Sequence, residues 1–291
     1  MKIIFHAGAH CTDDDRILKC LLRNKEELSQ RWIAVPGPGK YRPLLKEAFH
    51  GLEAGPAAPG ARDVLVDAIL DEEVANRVVL SNSHFFGSQR YALDQGMLYP
   101  HAPDRVDKMC ELFEGDRIEL YMAIRDPATF VPAALQKAPA QRIAETLGGI
   151  DPRALRWSDL FRRIREVAPE VKITVWCNED LPLIWGEVVR RLAGLPLDEK
   201  ISGGFDLLSE IMNKEGMQRF RAYLHQNPVL TEDQRRRVIT AFLDKYAIED
   251  EILEELDLPG WDEALVEEMS EIYDADLDVI ADIPGVRMIL P

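Results

Sequence analysis

Lys2-Ile3-Ile4-Phe5-His6-Ala7-Gly8 is an apolar run that ends on a glycine, and Asp13-Asp14-Asp15-Arg16-Ile17-Leu18 begins a periodic segment shortly after it. Lys2–Ala7 reads as a strand buried on both faces. Ile17, Leu18, Leu21, Leu22 and Leu28 recur at helical spacing, which predicts a helix over Asp13–Leu28. A buried strand, a tight turn and a helix start form the opening of a parallel α/β sheet, the place where such proteins bind phosphate.

The same alternation continues outward. Trp32–Val35 is a short extended piece stopped by Pro36-Gly37-Pro38-Gly39, and Pro43–Leu52 resumes as helix. Lys40 and Arg42, flanking Tyr41, read as a small basic loop, an exposed solubilising one in preference to a seat for an acidic acceptor, and Glu53–Arg62 as a flexible Pro/Gly/Ala linker. Arg77–Ser81, Arg117–Ile124 and Val171–Cys177 are further core strands, with helices over Asp104–Phe113 and Trp157–Val167. Beyond Leu195 no strong strand is expected, and Asp206–His225, Glu232–Tyr246, Glu249–Leu256 and Asp262–Ile280 read as helices. The fold expected is one α/β domain, a P-loop NTPase-like three-layer sandwich with a parallel central sheet of four or five strands. Residues 1–195 would supply the sheet core and residues 196–291 a helical C-terminal region. Crossovers should be right-handed.

Lys plus Arg number 35 against 51 Asp plus Glu, a net charge of −16. That balance argues against a nucleic-acid or anionic-membrane binder, because both need a broad positive face. No apolar stretch approaches the ~20 residues of a membrane helix. Cys11, Cys20, Cys110 and Cys177 have no CxxC pairing, so they read as reduced thiols of a cytoplasmic protein, without a metal site. The acidic surplus between Asp233 and Ala281 reads as solvated helix surface.

Taken together, five segments resemble the sulfotransferase family. Gly8-Ala9-His10-Cys11-Thr12-Asp13-Asp14-Asp15 is similar to the family's first loop, G-x-x-K-T-G-T-T, with Gly8 and Thr12 matching. Cys11 stands in place of the lysine, and Asp13, Asp14 and Asp15 in place of a glycine and two hydroxyl residues. Arg125-Asp126-Pro127 looks like the strand-end R-[ND]-P motif, with Ala133 where the family commonly has a serine. Ser81-Asn82-Ser83-His84 holds a histidine just beyond a core strand. Trp157–Leu195 resembles the family's helix–strand–acid–helix segment, and Tyr273-Asp274-Ala275-Asp276-Leu277 its closing Y-x-x-D-L helix.

The resemblance implies sulfuryl transfer from 3′-phosphoadenosine-5′-phosphosulfate (PAPS) to a hydroxyl or amine of a small molecule or glycan. His84 would be the general base and Arg125 would hold the 3′-phosphate. Gly8, His10, Cys11, Thr12, Asp13 and Asp14 would line the 5′ end of the donor. A crevice is expected at the carboxyl ends of the first three core strands. The departures support an alternative, a fold of this type that has lost its donor site and acts as a binding or interaction protein. Two like charges ~4 Å apart repel by about 4 kcal/mol at an effective dielectric near 20, so three acids in one loop oppose a phosphosulfate. The simpler role of those acids is helix capping, and that of Arg125 a structural ion pair.

Overall fold

The structure, a computed structural model, describes residues 1–94, 96–136, 138–147, 151–252 and 258–291. Six parallel strands form the central sheet: β1 (Lys2–His6), β2 (Ile33–Ala34), β3 (Arg77–Ser81), β4 (Arg117–Ile124), β5 (Lys172–Cys177) and β6 (Val286–Ile289). Their order is β2-β3-β1-β4-β5-β6. β1 lies inside, with Lys2 opposite Arg77 on one side and Arg117 on the other. The chain first builds to one side of β1 and then crosses to the other. β1 is therefore the topological switch point, the place where open α/β sheets of this kind hold their ligands, at the strands' carboxyl ends.

Alternation along β1 separates the two faces. Ile3 and Phe5 enter a large core shared with α3 (Pro38–Leu52), α5 (Ala102–Leu112), α8 (Trp157–Val167) and α14 (Glu263–Ala281). Ile4 enters a second core with α1 (Arg16–Arg23) and α9 (Leu181–Ala193). Helices on both faces of a parallel sheet make a three-layer α/β sandwich. Among the described residues no helix is long and apolar enough to cross a membrane.

Several boundaries differ from expectation, each for a local reason. The helix read over Asp13–Leu28 starts only at Arg16, because Asp14 and Asp15 take left-handed backbone (φ 46° and 61°). It breaks at Asn24, whose side-chain amide donates to the carbonyls of Cys20 and Ser202; α2 (Lys25–Ser29) follows. The Pro-Gly-Pro-Gly segment starts α3: Pro38 occupies a first-turn position, where its missing N–H costs nothing. Lys40 and Arg42 are therefore helical, not a basic loop. Arg62 belongs to α4 (Ala61–Leu70), so the linker is shorter than read.

Asp206–His225 divides into α10 (Asp206–Ile211) and α11 (Lys214–Gln226), where Asn213 caps the second helix by accepting from Gly216 N. α12 (Glu232–Tyr246) carries a capping box between Thr231 and Gln234. Of Glu249–Leu256, the helix is seen over Glu249–Ile252; the rest lies outside the described residues. The expectation that no strand follows Leu195 is overturned by β6, which pairs with β5 from Ile173–Val286 to Trp176–Ile289. Its pattern is short and carries an arginine, so it has little apolar signal of its own. α10 to α12 surround a separate cluster about Phe220, whereas α14 and β6 return to the main core.

Candidate functional site

The first loop leaves β1 and stays zipped to β4. Ala7 N donates to Tyr121 O (2.9 Å), Ala9 N to Ala123 O (3.0 Å), and Ala123 N to Gly8 O (2.6 Å). Gly8 has φ +92°, and a Cβ there would lie 3.1 Å from His10 N and 3.3 Å from Ser83 Cα. A glycine is thus required both by the backbone conformation and by the approach of the segment after β3. That approach brings Gly8–Asp15 and Ser81–His84 together.

His10 is 4% exposed. Its backbone N–H donates to the Tyr99 hydroxyl at 2.9 Å, and its Nδ1 lies 2.9 Å from the same oxygen. The hydroxyl proton then has Nδ1 as its acceptor, which places the imidazole proton on Nε2. Nε2 is buried without a hydrogen-bond partner among the described residues. The ring stacks on Tyr99 at 5.8 Å and meets the exposed His84 ring edge-on at 5.0 Å. Burial, reinforced by His84, pushes the His10 pKa down to about 4. Burial and then the Arg42 charge lower that of His84, so both rings are held neutral.

The acids do not crowd one point. Asp13 is buried; its Oδ2 accepts from Ile17 N at 3.0 Å, and its Oδ1 lies 4.0 Å from His6 Nε2. Asp14 is exposed and faces Arg16 at 3.7 Å. Asp15 takes the Arg42 guanidinium on both oxygens, at 3.0 and 2.6 Å. Asp13 thus performs the helix-start role expected of an acid there, while Asp15, at the cap position itself, makes no side-chain cap bond. Arg42 also donates to Ser81 O through Nε and Nη2 (3.1 and 2.9 Å), and Tyr41 donates to the same carbonyl at 2.6 Å. His6 Nδ1 lies 2.9 Å from Ser81 Oγ. Arg42, read with Lys40 as a solubilising basic loop in preference to a seat for an acidic acceptor, lies instead on helix α3 and is bonded to Asp15 and Ser81 O.

Arg125 reaches the same mouth at the end of β4 but is 5% exposed. Its Nη1 donates to Cys11 O at 2.8 Å and its Nε to Thr129 Oγ1 at 2.8 Å. Thr12 Oγ1 donates back to Ala9 O at 2.8 Å. The expected crevice residues therefore converge, but as a bonded set: Arg125 braces the loop that it was expected to face across a ligand. Ala133 lies on α6 (Pro127–Leu135), and its carbonyl accepts from Gln89.

Beyond β4 the strand ends carry acids of a different kind. Asp126 caps α6 by accepting from Ala128 N (2.8 Å) and takes the Ser270 hydroxyl at 2.5 Å. Glu179 accepts from Asp126 N at 2.9 Å and from the Tyr273 hydroxyl at 3.5 Å. Burial raises the pKa of Asp126, Glu179 and Asp180. Tyr273 and Asp276, read as a closing motif, dock α14 here: Asp276 accepts from Ser158 N at 3.1 Å.

Cavities of about 640, 760 and 560 Å³ open elsewhere, the second at the amino ends of the strands beside Met1, Lys2, Arg117 and Lys172, the third beside Gln89, Leu135 and Glu145. Asp116, which lines the first two, is already bonded to Arg62 and the terminal ammonium. Among the described residues no group of three or more His, Cys, Asp and Glu is placed to hold a metal ion. The site thus defines an α/β protein with a switch-point mouth lined by two neutral histidines and two bonded arginines. No family model matches the chain, and no curated protein or solved structure matches it either.

Proposed function

We propose that this chain is a sulfotransferase-like α/β protein of the P-loop type whose strand-end mouth serves as a binding site and does not take PAPS in the family's manner. One observation carries the reading. Arg125, the residue expected to grip the 3′-phosphate, is committed to the Cys11 carbonyl and Thr129, while the loop amides of Ala9 and His10 are bonded to Ala123 O and Tyr99 Oη. A phosphate would have to break those bonds before gaining its own. The absent lysine at Cys11 removes a further charge-assisted donor.

Calorimetry with 3′,5′-adenosine diphosphate tests this directly. No heat is expected from the wild type. Micromolar binding that weakens in Arg125→Ala would return the protein to the donor-binding class.

The transferase reading has one feature in its favour, the exposed and neutral His84 beside the mouth, which suits a general base for a hydroxyl. If nucleotide binds, loss of acceptor turnover in His84→Ala would assign that role. The scattered cysteines, with no CxxC spacing, support a reducing, cytoplasmic setting. The acidic balance supports a small-molecule or glycan ligand over nucleic acid.

A further inference from the structure

In the 3₁₀ turn Gln89–Tyr91, the Gln89 side-chain amide nitrogen donates to the carbonyls of Ala133 and Ala134 at 3.4 and 3.0 Å. These carbonyls belong to the last turn of α6, where a helix leaves its acceptors unfilled. The nitrogen is thereby committed, and the group that Gln89 has left to offer is its carbonyl oxygen. α6 ends in a turn closed by Ala138 N on Leu135 O (2.8 Å), and α7 (Ala140–Leu147) begins directly after it. On α7, Gln141 Nε2 donates to Glu145 Oε1 at 2.8 Å, an i, i+4 bond that steadies the carboxylate. Ala134, Ala138 and Pro139 are too small to fill the join, and with Leu135 they line a cavity of about 560 Å³. Gln89, Gln141 and Glu145 line the same cavity. Arg90, also at its edge, lies with its guanidinium over the Tyr91 ring at 4.8 Å.

An apolar lining with a few polar groups, in a volume of this size, is the form that small-molecule sites take. The polar groups here are biased toward accepting: the Gln89 oxygen and the Glu145 carboxylate accept, and Gln141 has spent one of its N–H groups on Glu145. A ligand that donates is therefore favoured, and the net charge of −16 adds a general attraction for a cation. We propose that the cavity between α6 and α7 binds a small primary amine with an apolar ring as its body, the ammonium donating to Glu145 and to Gln89 Oε1. An ammonium brings three donors and no acceptor, whereas a hydroxyl brings one donor and a carboxylate meets Glu145 as a like charge. None of the lining residues belongs to the β1–β3 mouth, so the amine site and the reading of the mouth stand or fall separately.

Titration of the full chain with benzylamine, benzyl alcohol and benzoate, followed by ¹H–¹⁵N NMR, tests it. Benzylamine should shift the amides of Gln89, Ala134, Leu135 and Gln141 saturably. Benzyl alcohol should bind about fivefold more weakly, the change expected for loss of a solvent-exposed ion pair, and benzoate should leave these amides unmoved. Glu145→Gln should bring benzylamine down to the affinity of the alcohol. Ala138→Phe, which places a ring in the cavity, should remove the shifts from both. No saturable shift at these amides in wild type overturns the site, a result that needs no variant to fold. Binding that persists in a folded Ala138→Phe overturns it as well. Alcohol or benzoate binding as tightly as the amine, or an unchanged amine affinity in Glu145→Gln, overturns the amine assignment.

Discussion

The mouth at β1 and β3 and the seam at the ends of β4 and β5 are built from similar materials and behave as opposites. In the mouth, burial presses imidazoles toward the neutral form: the pKa values of His6, His10 and His84 are all lowered. In the seam, burial presses carboxyls toward the neutral form, and those of Asp126, Glu179 and Asp180 are raised. The same physical cause therefore gives the two regions opposite responses to pH. The bonding differs as well: in the mouth the Asp15 carboxylate holds Arg42, whereas in the seam Asp126 accepts from the Ser270 hydroxyl and Glu179 from Asp126 N.

The sharpest way to break the mouth is Gly8→Ala. The φ of +92° and the backbone atoms 3.1 and 3.3 Å from the new Cβ leave no easy relief, and the cost should be about 3 kcal/mol. Gly39→Ala, in α3 with nothing within 4 Å, should instead stabilise by about 0.5 kcal/mol. Urea unfolding of the pair measures both. Equal effects would mean that the close approach of Ser83 to Gly8 is not part of the native state.

The pH contrast comes next. His10 titrates near 6.5 when unfolded and at about 4 when folded, so its unfolded form binds protons more readily between those values. Stability should fall as pH drops through that window, and His10→Asn should flatten the fall. Glu179 has the reverse sign: its folded pKa lies above the 4.5 of the free side chain. Its contribution is greatest below that value and declines as pH rises through the folded pKa. Glu179→Gln should lessen this decline. Unfolding free energies across pH 4 to 7, taken as differences from wild type, check both; like-signed differences for the two variants would erase the contrast.

Asp14→Asn should do least. The side chain is 77% exposed and its arginine partner 3.7 Å away, so a change under about 0.5 kcal/mol is expected. A thermal shift comparable with that of Gly8→Ala would show that the three acids act together after all.

The alternation of Lys2–Ala7, Arg77–Ser81 and Arg117–Ile124 with helical segments was enough to specify a parallel sheet, because strands buried on both faces are apolar throughout. Trp157–Val167 and Glu232–Tyr246 were legible to the residue for a similar reason, strong periodicity bounded by turn residues. β6 was not. Val286–Ile289 has meaning only beside β5, since pairing partners are invisible in a local window. Tyr99, which fixes His10, was hidden in the same way: the two residues are 89 positions apart.

From the residues alone come the sheet, its opening turn at Gly8 and the segments that meet around it, because these follow from local pattern and backbone sterics. The roles of the charges come only from the tertiary structure. Asp13, Asp14 and Asp15 read as one negative patch in the chain, yet in space they turn to Ile17 and His6, to Arg16 and to Arg42. Electrostatic energy depends on distance and burial and not on order along the chain, so the folded arrangement decides whether neighbouring charges repel or pair.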